Sequence, residues 1–189
     1  MPRKNAIRKW EVKMPPNEWY RKEDPWNIKD NEYEKKKAEI IWTMLDYDDI
    51  LLDVGCGEGH FTNKYSSKFS LTIACDISNR AIERARKSYQ HIAFFPHDIR
   101  EPIENFKGKI GTIVCSEVLY YFNPTEQKRV AKNIVSLLKP GGKLVVCVSR
   151  YFTEKDIKDL FPEIRWTKTY REYDKRLGDD YTLILGGYV

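Results

Sequence analysis

Residues 51–59 read Leu51-Leu52-Asp53-Val54-Gly55-Cys56-Gly57-Glu58-Gly59. An apolar run meets three glycines at alternate positions, and the pattern predicts a buried strand over 50–54, a tight turn, and a helix over 59–67. Glycine in such a turn lets the backbone approach a polar ligand, because no side chain stands between them. The helix that follows offers unpaired N–H groups at its start. Many nucleotide folds use a glycine-rich turn, so the details decide. The spacing is G-x-G-x-G. His60 stands where dinucleotide folds need a third glycine for close helix–strand packing, and Asp53 stands where they keep an apolar residue. Both departures argue against a nicotinamide dehydrogenase.

The flanking sequence alternates between the two periodicities. Upstream, Asp30 to Leu45 predicts a helix with Tyr33, Lys37, Ile40, Ile41 and Met44 on one side, ended by Asp46 to Asp49. Downstream, Leu71–Asp76, Ile92–Phe95, Ile110–Ser116 and Lys143–Val148 read as strands. Helices separate them, one capped by Ser78 and running to about Tyr89, another from Pro124 to Leu138. Lys139-Pro140-Gly141-Gly142 predicts a turn. A helix at about Thr153–Phe161 comes next. Two strand-like runs, about Arg165–Tyr173 and Tyr181–Tyr188, then form a hairpin through a Gly-Asp turn within Lys175–Asp180. Strands alternating with helices predict an α/β fold, with a mostly parallel seven-stranded sheet, helices on both faces and an antiparallel C-terminal hairpin strand. Residues 30–189 read as a single domain. Residues 1–29 read as an aromatic, basic segment, with Trp10, Trp19, Tyr20 and Trp26; its second half is expected to pack on that domain.

Composition narrows the class. No apolar run approaches the roughly 18 residues of a membrane span, so no membrane association is expected. The basic start Met1-Pro2-Arg3-Lys4-Asn5 leads into no apolar stretch, which argues against a secretory signal. Cys56, Cys75, Cys115 and Cys147 form no C-x-x-C pair. They read as reduced, half-buried thiols of a cytoplasmic protein, not as a zinc site. No carboxylates or histidines have metal-ligand spacing, so no metal is expected. The net charge is +5, and most of the excess sits in residues 1–37, with 11 Lys+Arg against 7 Asp+Glu. That segment either is a solvated, charged face or meets an anionic partner such as nucleic acid.

Ligands of open α/β sheets bind outside the carboxyl ends of the strands. The second strand ends at Asp76, 21 residues after Gly55, where a carboxylate can accept both hydroxyls of a ribose. The third ends at His97-Asp98-Ile99, and the fourth at Ser116-Glu117-Val118-Leu119-Tyr120-Tyr121.

Four features in order, Asp53 to Gly59, Asp76, Asp98 and Leu138-Lys139-Pro140-Gly141-Gly142, resemble the motifs of class I S-adenosylmethionine (SAM)-dependent methyltransferases. The resemblance implies a Rossmann-like fold and S-adenosyl-L-methionine as cofactor. By it, Asp53, Gly55, Cys56, Gly57 and Gly59 hold the methionine part, and Asp76 takes the ribose. Ile77 packs on the adenine, Asp98 accepts from the adenine amino group, and Ile99 offers its backbone N–H. Ser116 and Glu117 face the cofactor or the acceptor.

Asp24-Pro25-Trp26, Tyr33-Glu34-Lys35-Lys36-Lys37 and the run Ser116 to Tyr121 resemble the NodS-like methyltransferases. The best-known members N-methylate an amino sugar of a lipochitooligosaccharide precursor. This implies a small-molecule acceptor, an amino sugar or small amine, with Trp26 and Tyr33 as part of a lid over the cofactor. Trp26 serves equally well as an anchor for the tail. Glu117 and Tyr120 are the candidates for catalysis at the acceptor. His60 reads as a helix-start residue, and His97 as packing beside Asp98. An RNA methyltransferase is the main alternative, favoured by the basic N-terminus. Against it, the Asn/Asp-Pro-Pro-Tyr/Phe run of exocyclic-amine enzymes is replaced by Ser116-Glu117-Val118-Leu119. A non-catalytic SAM-binding subunit is the third reading. No oligomeric state follows from the sequence.

Overall fold

The computed structural model describes residues 16–149, 152–174 and 179–188. Seven strands form one sheet: β1 Asp48–Val54, β2 Phe69–Asp76, β3 Ala93–Pro96, β4 Ile110–Ser116, β5 Leu138–Ser149, β6 Ile164–Asp174 and β7 Asp179–Tyr188. Their order is β3-β2-β1-β4-β5-β7-β6. The first five run parallel, and β7 is antiparallel to both β5 and β6. The sheet is therefore the mostly parallel, seven-stranded one that the sequence predicts. The Gly-Asp turn of the hairpin falls partly on residues 175–178, outside the described residues, as does Trp10.

The central strands are apolar on both faces because helices cover both. Successive residues point to opposite sides. Leu52, Ile113 and Val146 pack with Val130 and Ile134 of α5 (Pro124–Leu137) and Ile157 of α6 (Glu154–Leu160). Leu51, Val114 and Val145 pack with Ala38, Ile41 and Met44 of α2 (Glu32–Met44) and Tyr65 of α3 (His60–Ser66). A smaller cluster joins Ala74 and Phe94 to Ile82 and Ala85 of α4 (Asn79–Ser88). Each fully buried Leu or Ile contributes about 1.5–3 kcal/mol.

Polar caps set the helix starts. Ser78 accepts from the Ala81 N–H, as its position predicts. Asn123 with Glu126, and Thr153 with Asp156, form reciprocal capping boxes. The helix predicted from Asp30 begins at Glu32, because Asn31 is its cap.

Lys139 to Gly142 is not the free turn expected of it. Leu138 pairs with Ile110 and Lys143 with Thr112, so these residues bulge within β5 opposite the single residue Gly111. Gly141 takes φ +75°, which suits a glycine.

A short helix, α1 (Pro16–Trp19), opens an irregular segment that runs to Asp30 and lies on the domain. Tyr20 is buried within it. Among the described residues, no helix is long and apolar enough to cross a membrane.

Register decides where the site forms. Val54 of β1 is level with Cys75 of β2 and Cys115 of β4. Gly55, Asp76 and Ser116 therefore leave the sheet side by side at one edge.

Candidate functional site

A cavity of about 470 Å³ opens at that edge, within the roughly 300–1,000 Å³ usual for small-molecule sites. Its floor is the glycine loop. Gly55, Gly57 and Gly59 all have positive φ, at 76°, 56° and 79°. The Gly55 and Cys56 N–H groups donate to the Cys75 carbonyl at 2.8 and 3.0 Å. A Cβ on Gly57 would lie 2.8 Å from the Tyr20 hydroxyl, so here the missing side chain makes room inside the cavity. Gly59 differs from the expectation. It does not line the cavity, and a Cβ there would meet Phe94 Cζ at 2.6 Å. That residue serves helix packing behind the loop.

Asp76 holds this loop to the next helix. Its Oδ2 accepts the Gly57 N–H at 2.9 Å and its Oδ1 the Ser78 N–H at 2.8 Å. Burial raises its pKa, and these two donors offset part of the rise. Asp53 lies one layer deeper. Burial pushes its carboxyl up to about 7, against a hydrogen bond from Thr62 Oγ1 at 2.5 Å.

One end of the cavity lies over β2 and β3. Ile77 stands at its rim, 40% exposed, and His97 to Arg100 form its wall. His97 Nε2 lies 2.9 Å from the Glu101 carbonyl. Ile99 is buried and its carbonyl accepts from Asn133. Asp98 is already engaged. It accepts the Arg100 backbone N–H at 3.0 Å and Arg100 Nη2 at 2.6 Å. Burial opposes its ionisation, but Arg100 prevails and holds the carboxyl below the usual range. Arg100 Nη1 also reaches Glu126 at 2.8 Å. Sequence reasoning missed Arg100, although an arginine two residues after a strand-end aspartate was the available signal.

The other end lies over β4 and β5. Ser116 and Glu117 line it, and Glu117 has φ +59°, a strained value for a residue with a side chain. Glu117 Oε1 accepts from Lys37 Nζ at 3.1 Å, and Oε2 from Ser149 Oγ at 2.6 Å. Lys37 also meets Glu34 Oε2 at 2.7 Å. Tyr120 is buried and shares side-chain hydrogen bonds with Glu117 and Tyr121. Lys37, Glu34 and Ser149 went unassigned in the sequence. The first had a signal, since Lys37 sits four residues after Tyr33 and before Ile41 on the apolar stripe of α2.

Tyr33 is placed elsewhere than a lid would need. It does not line the cavity; its ring packs edge-on against Tyr181 at 5.3 Å and flanks Lys37. Trp26 does line the cavity. It is 41% exposed and stands edge-on to Tyr20 at 5.2 Å, so both readings of it have a geometric basis. The segment around it is strapped down by Arg84, which bonds Glu58 at 2.6 Å and the carbonyls of Tyr20 and Lys22. Glu58 Oε2 in turn accepts the Asp24 N–H at 3.0 Å. His60 begins α3 as expected and lies 2.9 Å from the Tyr89 hydroxyl. The four cysteines carry no disulfide, Cys56 half-buried and the other three buried. Among the described residues no group of three or more His, Cys, Asp or Glu could hold a metal ion.

Strand order, antiparallel seventh strand and glycine loop together define the Rossmann-like fold of methyltransferases. The crystal structure of the N-methyltransferase NodS from Bradyrhizobium japonicum WM9 in complex with S-adenosyl-l-homocysteine has this fold. It matches with a TM-score of 0.79 at 24% identity, over 89% of this chain and 93% of that one.

The model of the family described as nodulation protein S (NodS) matches residues 17–156, and the chain belongs to that family. Nodulation protein S of Azorhizobium caulinodans is 31% identical over 127 residues, 65% of this chain and 61% of the relative. That of Rhizobium tropici is 32% identical over 130 residues, 65% of this chain and 54% of the relative. The match therefore spans little more than half the length of these relatives.

Proposed function

We propose that this chain is an S-adenosyl-L-methionine-dependent methyltransferase that N-methylates a small amine, an amino sugar being the first choice. One observation carries the reading. A single cavity runs from Asp76 and Asp98, past a side-chain-free glycine floor, to the carboxylate of Glu117. Its residues suit the cofactor. Each Asp76 oxygen accepts only one backbone N–H, which leaves lone pairs for ribose hydroxyls. Ile77 offers an apolar face to the adenine, and Asp98, steadied by Arg100, an acceptor to its amino group. Ile99 supplies a backbone N–H beside them. The loop from Gly55 to Gly57 fits the methionine part, with Asp53 and Cys56 behind it and Ser116 opposite.

SAM supplies a methyl group on a sulfonium, open to in-line displacement. The chain's own contribution is position and dryness. Tyr20 and Trp26, with residues 16–29 as a lid, keep water off the reacting centre. Glu117 stands at the acceptor end, and Tyr120 keeps it in place through a neutral hydroxyl, which burial holds in its protonated form. Three buried free thiols suit a reducing compartment, and we place the protein in the cytoplasm. The acceptor end carries Glu34 and Glu117 against Lys37, which disfavours a polyanionic RNA substrate.

Calorimetric titration with S-adenosylhomocysteine, then a methylation screen of small amines beside tRNA, tests this. Binding and amine methylation are expected. Failure of the folded protein to bind would sink the enzyme reading, and methylation of tRNA alone would sink the acceptor class.

A further inference from the structure

Glu34 and Lys37 lie one turn apart on α2, and Glu117 reaches them from the end of β4. The lysine side chain is only 2% exposed, whereas both carboxylate side chains are 20% exposed at the cavity wall. One ammonium thus serves two carboxylates. The other cations lining the cavity do not redress the balance. Arg100 stands at the opposite end, bound to Asp98 and Glu126, and burial lowers the pKa of His60. A net negative charge remains where the cavity passes beyond the glycine loop.

A second observation marks this end as a binding surface. Tyr65 is 1% exposed and lines the cavity, yet its hydroxyl has no hydrogen-bond partner among the described residues. Buried hydroxyls are rarely left so. The strained backbone of Glu117 points the same way, since strain of this kind collects at working sites.

Resting on the methyltransferase reading, we propose that Glu34, Lys37 and Glu117 form the acceptor subsite, that its net negative charge selects an amine nitrogen, and that Lys37 is a positioning residue acting through Glu117. In the reaction the bound ammonium first gives one proton to water, the nitrogen lone pair so freed bonds the methyl carbon, and the electron pair of the broken C–S bond stays on sulfur. The positive charge moves from sulfur to nitrogen, and nitrogen then gives its proton to water. Two carboxylates aimed at that nitrogen stabilise the charge as it arrives, so no strong base is required. Lys37 keeps Glu117 anionic for this task. Burial would raise the Glu117 carboxyl, but the ammonium outweighs it and the net shift is downward. The groups facing Glu117 are Lys37 and Glu34 from α2, Cys147 and Ser149 from β5, and Tyr120 from its own turn.

The test is calorimetry on protein saturated with S-adenosylhomocysteine. The probes are glucosamine and ethanolamine, each against its N-acetyl derivative, which has the same hydroxyls and no basic nitrogen. The amines are expected to bind at least tenfold more tightly, and Glu34→Gln or Glu117→Gln to lose most of that preference, Glu34→Gln with S-adenosylhomocysteine affinity within twofold. In Lys37→Met the acid limb of amine binding should move to higher pH, and Lys37→Arg should restore it. Equal binding of amine and N-acetyl forms, no amine binding, or an unchanged preference in the Gln variants overturns the subsite. An unmoved acid limb overturns the role of Lys37; should Lys37→Met not fold, failure of the charge-preserving Lys37→Arg to keep the wild-type acid limb does so. Loss of S-adenosylhomocysteine binding by the wild type is a different failure and counts against the methyltransferase reading itself.

Discussion

Asp76 Oδ2 accepts the backbone N–H of Gly57 at 2.9 Å, so the carboxylate that ends β2 also holds the middle of the glycine loop. Its role is therefore double. Asp76→Ala removes a ligand contact and frees the loop at once. Binding of S-adenosylhomocysteine should weaken by roughly 1.5–3 kcal/mol, the scale of hydrogen bonds to a charged group. Calorimetry reads this directly. An unchanged dissociation constant would mean that the ribose lies elsewhere.

Gly57 is constrained twice, by its φ of +56° and by the Tyr20 hydroxyl. The left-handed conformation alone costs a residue with a side chain about 1–2 kcal/mol. Gly57→Ala should therefore lower the melting temperature and weaken cofactor binding. Adding Tyr20→Phe removes the steric part and leaves the backbone part, so the double variant should recover some, not all, of the loss. Full recovery would show that φ is not the constraint.

Arg84 ties three parts together: Glu58 of the loop and the carbonyls of Tyr20 and Lys22. Glu58 keeps only 4% of its side-chain surface exposed, and Arg84 27%. Arg84→Ala should cost about 1–3 kcal/mol, below the range for a fully buried pair because the arginine stays partly wet. The local effect should be larger than the global one. Hydrogen exchange should rise over residues 17–28 while the strands stay protected, and exchange that is uniform across the chain would contradict a strap.

Much of the fold was legible because strands buried on both faces read as apolar runs, and Ser78 and Gly55 mark ends by side-chain or backbone chemistry. The edge chosen by Asp76, Asp98 and Ser116 was legible for the same reason: each terminates such a run. What escaped were partners brought together across the sequence. Nothing near Ser149 announces Glu117, 32 residues away. Likewise, nothing near Glu126 announces Arg100, 26 residues away. Lys37 broke an apolar stripe, which signals a buried charge, but its two carboxylates come from different elements. Tyr33 was misplaced because resemblance of a short segment fixes its neighbourhood and not the face it turns.

Asp53 makes stability depend on pH in an unusual direction. The folded protein keeps its proton up to about pH 7, chiefly because the group is buried. An unfolded chain gives that proton up near 3.9. Between those values the folded state binds more protons, so this group's contribution falls as pH rises from about 4 to 7. Other carboxylates here act the opposite way. Asp98, Glu126 and Asp48 are held below their usual range, and they lose their stabilising effect only as pH drops through it. Asp53→Asn keeps an oxygen for the Thr62 hydroxyl and removes the titration. The variant should gain stability relative to wild type as pH goes from 5 to 7.5, measured by urea unfolding of the ligand-free protein. A difference that stays constant with pH would show that Asp53 ionises as readily in the folded chain as in the unfolded one.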